Sequence, residues 1–556
     1  MAINQPNLLE ASKSSISKIT LFLIFISFAA LVSTCFSSPQ LPLHHKICDQ
    51  SDNKESCLAM ISEAMSVGRE YSKKRPNMAD HPNLLKAFLE KTTPRIQKTF
   101  EMANDVSRRI NNPRDRTALL DCAELMDLSK DRVRDSISIL YHQNLTTRSH
   151  EDLLTWLSGV LTNHVTCLDG LEEGSSDNYT KILMESHLSE LILNARTSLA
   201  IFVTLFPSKS KMIEPVTGDF PTWVTAGDRR LLQSLGKEIK PDIVVAQDGS
   251  GDYKTLNEAV AAIPDKSKKR YVVFVRMGTY KENVEFGKKK KNVMLVGDGM
   301  DYTIVTGSLN ADDGTSTFRS ATVAAVGDGF IAQDISFQNS AGPQKHQAVA
   351  LRVGADKSVI NRCRIDGYED SLYPHSHRQF YRDCTITGTI DFIFGNAAVV
   401  LQNCKIIPRK PMTAQKNMIT AQGRTDPNQN TGTSIQNGDI FASADLEPVK
   451  DTFKTYLGRP WKKYSRTVVM ESYIGDVIDP AGWYKWDGHF ALETLFYGEY
   501  RNRGPGSGTS ARVKWPGYHV ITSLAVAKQF TVAELIQGGS WLESTGVPYT
   551  EGFVYT

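Results

Sequence analysis

Three nine-residue words near the middle of this 556-residue chain align at a nearly fixed step: VINRCRIDG (359–367), FYRDCTITG (380–388) and VLQNCKIIP (400–408). Cys363, Cys384 and Cys404 share one phase, 21 and 20 residues apart, and Ile365, Ile386 and Ile406 share another. A period near 20 with one or two apolar residues per short strand fits one turn of a parallel β-helix. One such turn cannot bury its inward face alone, but stacked turns share an elongated core. A leucine-rich solenoid is excluded, because no L-x-x-L-x-L consensus recurs. The runs YVVFVRMGTY, NVMLVGDG, TIVTGS and ATVAAVGDGF alternate β-formers with Gly, Asn and Asp. The whole stretch 241–556 therefore reads as an all-β parallel β-helix.

Residues 40–205 carry a different period. In 115–140, Leu119, Cys122, Met126, Val133, Ile137 and Leu140 fall near one face at helical spacing. Residues 150–170 and 178–204 repeat that pattern, and 84–110 add a fourth helix, which predicts an all-α four-helix bundle. Cys48 and Cys57 could close a short hairpin ahead of the bundle, and Cys122 and Cys167 would tie its second long helix to its third. Residues 206–240 have linker character, with Pro, Gly and charge interrupting every apolar run. They contain the dibasic run Arg229-Arg230-Leu231-Leu232, either a protease site or a solvated pair.

Residues 1–38 hold the apolar stretch ITLFLIFISFAALVSTCF behind Lys13 and Lys18. This reads as a cleavable secretory signal or an uncleaved anchor. Export makes disulfides the default for the cysteines and makes the sequons at Asn144 and Asn178 glycan sites. Lys and Arg total 64 against 61 Asp and Glu, so nothing in the charge balance points to nucleic acid. The run Lys288-Lys289-Lys290-Lys291 reads as a solvated loop in preference to a polyanion site.

The repeat places acidic residues. Asp370 and Asp391 are 21 residues apart, the same step as Cys363 to Cys384. If that step is one coil, the two aspartates occupy equivalent positions on strands ~4.8 Å apart. Gln347 and Glu369, 22 apart, would stack likewise. Two carboxyls at such range cannot both ionise comfortably; one keeps its proton as an acid and the other serves as base or nucleophile. A purely structural Asp ladder is the alternative. There is no G-x-S-x-G elbow. His375-x-His377 lacks a third metal ligand, so neither metal nor cofactor is expected.

The words GPQKHQAVAL (342–351), GYEDSLYPHSHRQFY (367–381), GTIDFIFGNAAVV (388–400) and LGRPW (457–461) strongly resemble plant pectin methylesterases. LSGVLTNHVTCLDGL (157–171), together with the four cysteines of this half, Cys48, Cys57, Cys122 and Cys167, resembles the pectin methylesterase inhibitor module. The resemblance implies a right-handed β-helix that hydrolyses galacturonosyl methyl esters in pectin, and a pro-form cut at a basic site such as RRLL. It implies Asp391 as nucleophile, Asp370 as proton donor and then base, and Gln347 as an oxyanion donor. Arg459 would orient Asp391, and Thr317 and Trp461 would touch substrate. By the same family habit Cys384 and Cys404 would be bonded and Cys363 free; three free thiols is the competing reading. A secreted, cell-wall monomer is expected.

One position departs from the pattern. The family usually has Gln just before the first aspartate, and here it is Glu369. An ionised Glu only accepts hydrogen bonds, so Glu369 either holds a proton and donates, or points away, or weakens the enzyme. A weakened, pectin-binding or inhibitor-like protein is therefore the alternative function.

Overall fold

The computed structural model describes residues 43–71, 81–141, 145–174, 179–207 and 240–554. The expected signal segment, the sequons at Asn144 and Asn178 and the dibasic run Arg229–Leu232 lie outside them.

The C-terminal part is a right-handed parallel β-helix whose strands stack into three parallel sheets of eleven, eight and seven members. One wrap runs through Ser358–Asn361 in the eleven-stranded sheet, Arg364–Asp366 in the eight-stranded sheet and Leu372–Pro374 in the seven-stranded sheet. The register follows the sequence repeat: Ile365 lies opposite Ile386, and Ile386 opposite Ile406. All three isoleucines are fully buried inside the coil. The corner between the first two sheets is a single left-handed residue in successive wraps. These are Asp334, Arg362, Asp383, Asn403, Asn437, Glu471 and Arg501, with φ between 48° and 60°. Asp and Asn fill most of these corners because they tolerate that conformation better than other L-residues.

Cys384 and Cys404 are not bonded: Cys363, Cys384 and Cys404 are three free, buried thiols. In-register neighbours lie ~4.8 Å apart along the coil axis, a spacing that allows a disulfide but does not compel one. Each thiol instead donates to a backbone carbonyl, Cys363 to Asn361 and Cys384 to Ile360, both at 3.3 Å.

The N-terminal part contains α1 (Leu43–Cys48), α2 (Lys54–Tyr71), α3 (His81–Arg109), α4 (Pro113–Tyr141), α5 (Thr147–Gly174) and α6 (Tyr179–Leu205). The four long helices α3–α6 are those the periodicity predicts. Disulfides join Cys48 to Cys57, linking α1 to α2, and Cys122 to Cys167, linking α4 to α5.

The helices sit on the outer face of the seven-stranded sheet. Phe318, Val349, Tyr373, Phe394 and Ala421 of that face are buried in one apolar cluster with the bundle's leucines. Ion pairs close the rim: Arg132 with Asp328, Arg378 with Asp152, Lys462 with Asp169 and Arg319 with Asp121. The lysine run is also paired, contrary to the solvated loop expected of it. Lys288 contacts Asp127 and Asp131 of α4, Lys290 contacts Asp265, and Lys291 contacts Asp328. Sequence alone cannot supply those partners, since Asp127 and Asp131 lie far away in the chain.

Candidate active site

The turn from the eight- to the seven-stranded sheet carries Glu369 and Asp370 in one wrap and Asp391 in the next. Leu372 pairs in register with Ile393, so the two aspartates are equivalent residues of adjacent coils. The backbone agrees: Asp370 N–H donates to Ile390 O at 3.0 Å. Both aspartates hold left-handed φ, 62° and 51°. Non-Gly residues in that region cost energy and are held there by their surroundings. Gly388 permits the close stacking, because a Cβ there would lie 2.7 Å from Tyr368 O.

A cavity of about 260 Å³ opens over this turn. Thr317, Gln347, Glu369, Asp370, Asp391, Arg459 and Trp461 all line it, so one pocket unites the residues the resemblance pointed to. Arg459 grips Asp391 in a fork, with Nε to Oδ1 at 2.8 Å and Nη2 to Oδ2 at 2.6 Å. Planar guanidinium matches carboxylate in this two-point geometry. Gln347 Nε2 donates to Glu369 Oε1 at 2.9 Å, and the other Glu369 oxygen lies 3.6 Å from His346 Nδ1. The expected stacking of Gln347 and Glu369 is therefore a direct hydrogen bond.

Three carboxyls thus crowd around one guanidinium. Asp370 and Asp391 are each 7% exposed and Glu369 is 9% exposed. Burial pushes the Asp370 carboxyl well above the usual range, and the charges of Glu369, Asp391 and Glu173 push the same way. Glu369 is raised by burial and then by Asp391. Burial also raises Asp391, but the Arg459 fork opposes it, an aid neither neighbour enjoys as a hydrogen bond. The geometry favours an ionised Asp391 in the Arg459 fork beside a protonated Asp370, which has burial and three neighbouring carboxyls against its charge.

Two features escape the sequence reading. Trp486 lines the cavity, and the Arg459 guanidinium lies 4.3 Å from its ring centre. It stands in WYKWDG, an aromatic-rich word without periodicity to betray it. The second is a stripe on α5. Trp156 donates to Asp356, Thr162 accepts from Asn396, Thr166 bonds His375 at 3.0 Å and Asp169 pairs with Lys462. Glu173 accepts from Thr317 at 3.1 Å. With Gly159 between Trp156 and Thr162, these positions recur every three or four residues, a helix face laid along the seven-stranded sheet. Gly159 lies in the same stripe, where a Cβ would meet His377 Nε2 at 2.5 Å. Thr166, Asp169, Gly170 and Glu173 of α5 complete the cavity wall.

Comparison with known proteins agrees with this architecture. The family described as Pectinesterase matches residues 242–539, and that described as Plant invertase/pectin methylesterase inhibitor matches residues 42–201. A pectinesterase/pectinesterase inhibitor of Ficus pumila var. awkeotsang is 80% identical, over 99% of both chains. Pectinesterase 2.1 of Solanum lycopersicum is 56% identical, over 92% of this chain and 90% of its own. The solved pectin methylesterase from carrot aligns with a TM-score of 0.56 at 62% identity, covering 57% of this chain and 99% of the carrot chain.

Proposed function

The chain belongs to the pectinesterase family and carries an inhibitor-type module ahead of its β-helix; on that premise we infer that it hydrolyses the methyl esters of galacturonosyl residues in pectin. The observation that carries the residue roles is the two-point grip of Arg459 on Asp391, one coil from an Asp370 that has no such cation.

The steps follow from that asymmetry. An Asp391 oxygen attacks the ester carbonyl, and the carbonyl oxygen becomes an oxyanion. Gln347 Nε2 and a protonated Glu369 donate hydrogen bonds to it. As the tetrahedral intermediate collapses, Asp370 gives its proton to the departing methoxy oxygen and methanol leaves. An anhydride between Asp391 and galacturonate remains. Asp370, now ionised, takes a proton from water as that water attacks the anhydride. Galacturonate leaves with a free carboxylate, and Asp391 returns to the Arg459 fork. Thr317, Trp461 and Trp486 lie around the cavity, where the indoles offer apolar faces to sugar rings.

The helical module sets when this occurs. With α5 seated, Glu173 occupies the Thr317 hydroxyl, and Thr166, Asp169 and Gly170 wall the cavity where a polymer would have to lie. The intact chain is thus read as a precursor, exported by way of residues 19–36, with a transient anchor as the alternative. Cleavage at Arg229-Arg230-Leu231-Leu232 frees a cell-wall enzyme. Methanol release from highly methylated pectin tests the assignment. A fragment spanning 240–556 releases methanol, its Asp391→Asn variant does not, and the intact chain releases far less. An intact chain as active as the fragment would refute the blocking role. Equal release by the Asp391→Asn variant would refute the nucleophile.

A further inference from the structure

We propose that Arg319 and Lys288 form carboxylate-binding subsites for a de-esterified stretch of the polysaccharide, in the groove that the helical module now fills. This rests on the pectin reading above and adds to it a place for the reaction's own product.

The present occupant of the groove is the first argument. Along α4, Asp121, Glu124, Asp127 and Asp131 fall at helical spacing on one face, spanning ~15 Å. Arg319 Nε bonds Asp121 at 2.8 Å and its Nη2 bonds Glu124 at 2.8 Å. Lys288 Nζ lies 2.5 Å from Asp127 and 2.7 Å from Asp131. A row of carboxylates therefore already lies on these two cations.

Position is the second argument. In the seven-stranded sheet, Leu372–Pro374 beside the catalytic turn is followed by Leu351–Val353, Val323–Ala325 and Val284–Phe286. Arg319 precedes the third of these strands and Lys288 follows the fourth. At ~4.8 Å per strand the cations stand ~10 and ~15 Å from the Asp370 coil. Arg319 is two residues from Thr317, which lines the catalytic cavity. The cations thus form a track leading to the reacting centre.

The third argument is what remains when the module leaves. Among the described residues, both ion-pair partners of Lys288 belong to α4, and Arg319 keeps Glu285, at 3.8 Å. Among the other charges on this face, Asp328 keeps Lys291, Asp356 keeps Arg378 and Lys290 keeps Asp265, whereas Lys357 and Lys462 lose Asp152 and Asp169 of α5. The bare groove is thus basic at Arg319 and Lys288. A neutral methyl ester offers a cation little, whereas the carboxylate it becomes offers a charge-assisted bond. The track holds the product stretch while the next ester reaches Asp391, which favours contiguous de-esterification.

The test uses the 240–556 fragment, since the carrot enzyme is a folded chain that corresponds to the β-helix without the module. Binding of polygalacturonate and the run length of free carboxyls left on pectin are compared for wild type and Arg319→Gln/Lys288→Gln. The charge-matched control is Lys281→Gln/Lys405→Gln, both exposed on the eight-stranded sheet. The expected result is polygalacturonate affinity lowered at least about tenfold and shorter runs in the first variant only. Arg319→Lys/Lys288→Arg, which keeps both charges, retains binding. Identical affinity and run length in the first variant and the control would overturn the proposal and leave these cations as seats for the module alone. A fragment that releases no methanol yet binds polygalacturonate through Arg319 and Lys288 would overturn the hydrolase reading and keep the subsites.

Discussion

Glu369→Gln is the substitution whose outcome the structure determines most sharply. The exchange is isosteric. The Gln carbonyl oxygen accepts the Gln347 bond now made to Glu369 Oε1, and an amide replaces the oxygen that faces His346. What changes is the proton. Glu369 donates to the oxyanion only while neutral, and burial followed by the Asp391 charge extends that state upward in pH. Above its raised pKa the donor is lost and a negative charge takes its place. Removing one oxyanion donor costs about 2.7–4 kcal/mol, roughly 10²–10³ in rate. Activity of the wild-type 240–556 fragment therefore rises as Asp391 ionises, then falls as Glu369 and Asp370 lose their protons. In Glu369→Gln the Glu369 part of the alkaline fall disappears, while the acid limb stays in place because Asp391 and Arg459 are untouched. At acidic pH the two proteins agree within about threefold, a margin well under the value of one donor. In the alkaline range the variant leads by up to about 10²-fold, until Asp370 limits both. Initial rates of methanol release across pH, at saturating pectin, give the comparison. Superimposable profiles would refute the neutral-donor role of Glu369.

Further outcomes follow from the same geometry. Arg459→Lys keeps the charge but not the fork, so kcat falls by about 10²-fold or more while the fold stays intact; kinetics beside circular dichroism check this. Gly159→Leu drives a side chain into His377 and lifts α5 from the sheet, so methanol release by the intact chain rises toward that of the isolated fragment. If Gly159→Leu leaves the intact chain unchanged, the seat of α5 does not govern access. The denatured, unreduced 240–556 fragment takes up three alkylating groups, one per free thiol, as read by intact mass. Uptake of only one would restore the Cys384–Cys404 bond.

The β-helix was legible because its inward positions repeat: Cys363, Cys384 and Cys404, and the isoleucines two places on, record the pitch directly. That pitch also set Asp370 against Asp391. The roles of Gln347, Arg459, Thr317 and Trp461 were not in the spacing and came from the family resemblance. The thiols were misjudged because spacing fixes adjacency, which allows a disulfide but does not compel one. The pairing of the lysine run is not legible because the partners of Lys288 sit on α4, and a polar helix face meant for another surface has the same composition as one meant for water. The stripe Thr162, Thr166 and Asp169 was overlooked for that reason. Helices α1 and α2 were missed because the first is a short LHHKIC segment and only the cysteines flagged the second.

The gap between the reacting carboxyls behaves like the lattice constant of a crystal. Hydrogen bonds between neighbouring strands set it, and each wrap from Leu372 to Ile393 inherits it. Point substitutions can retune which oxygen carries the proton, but they leave that gap alone. A one-residue insertion between the two aspartates would do the reverse, turning Asp391 off the shared wall without altering a single charge.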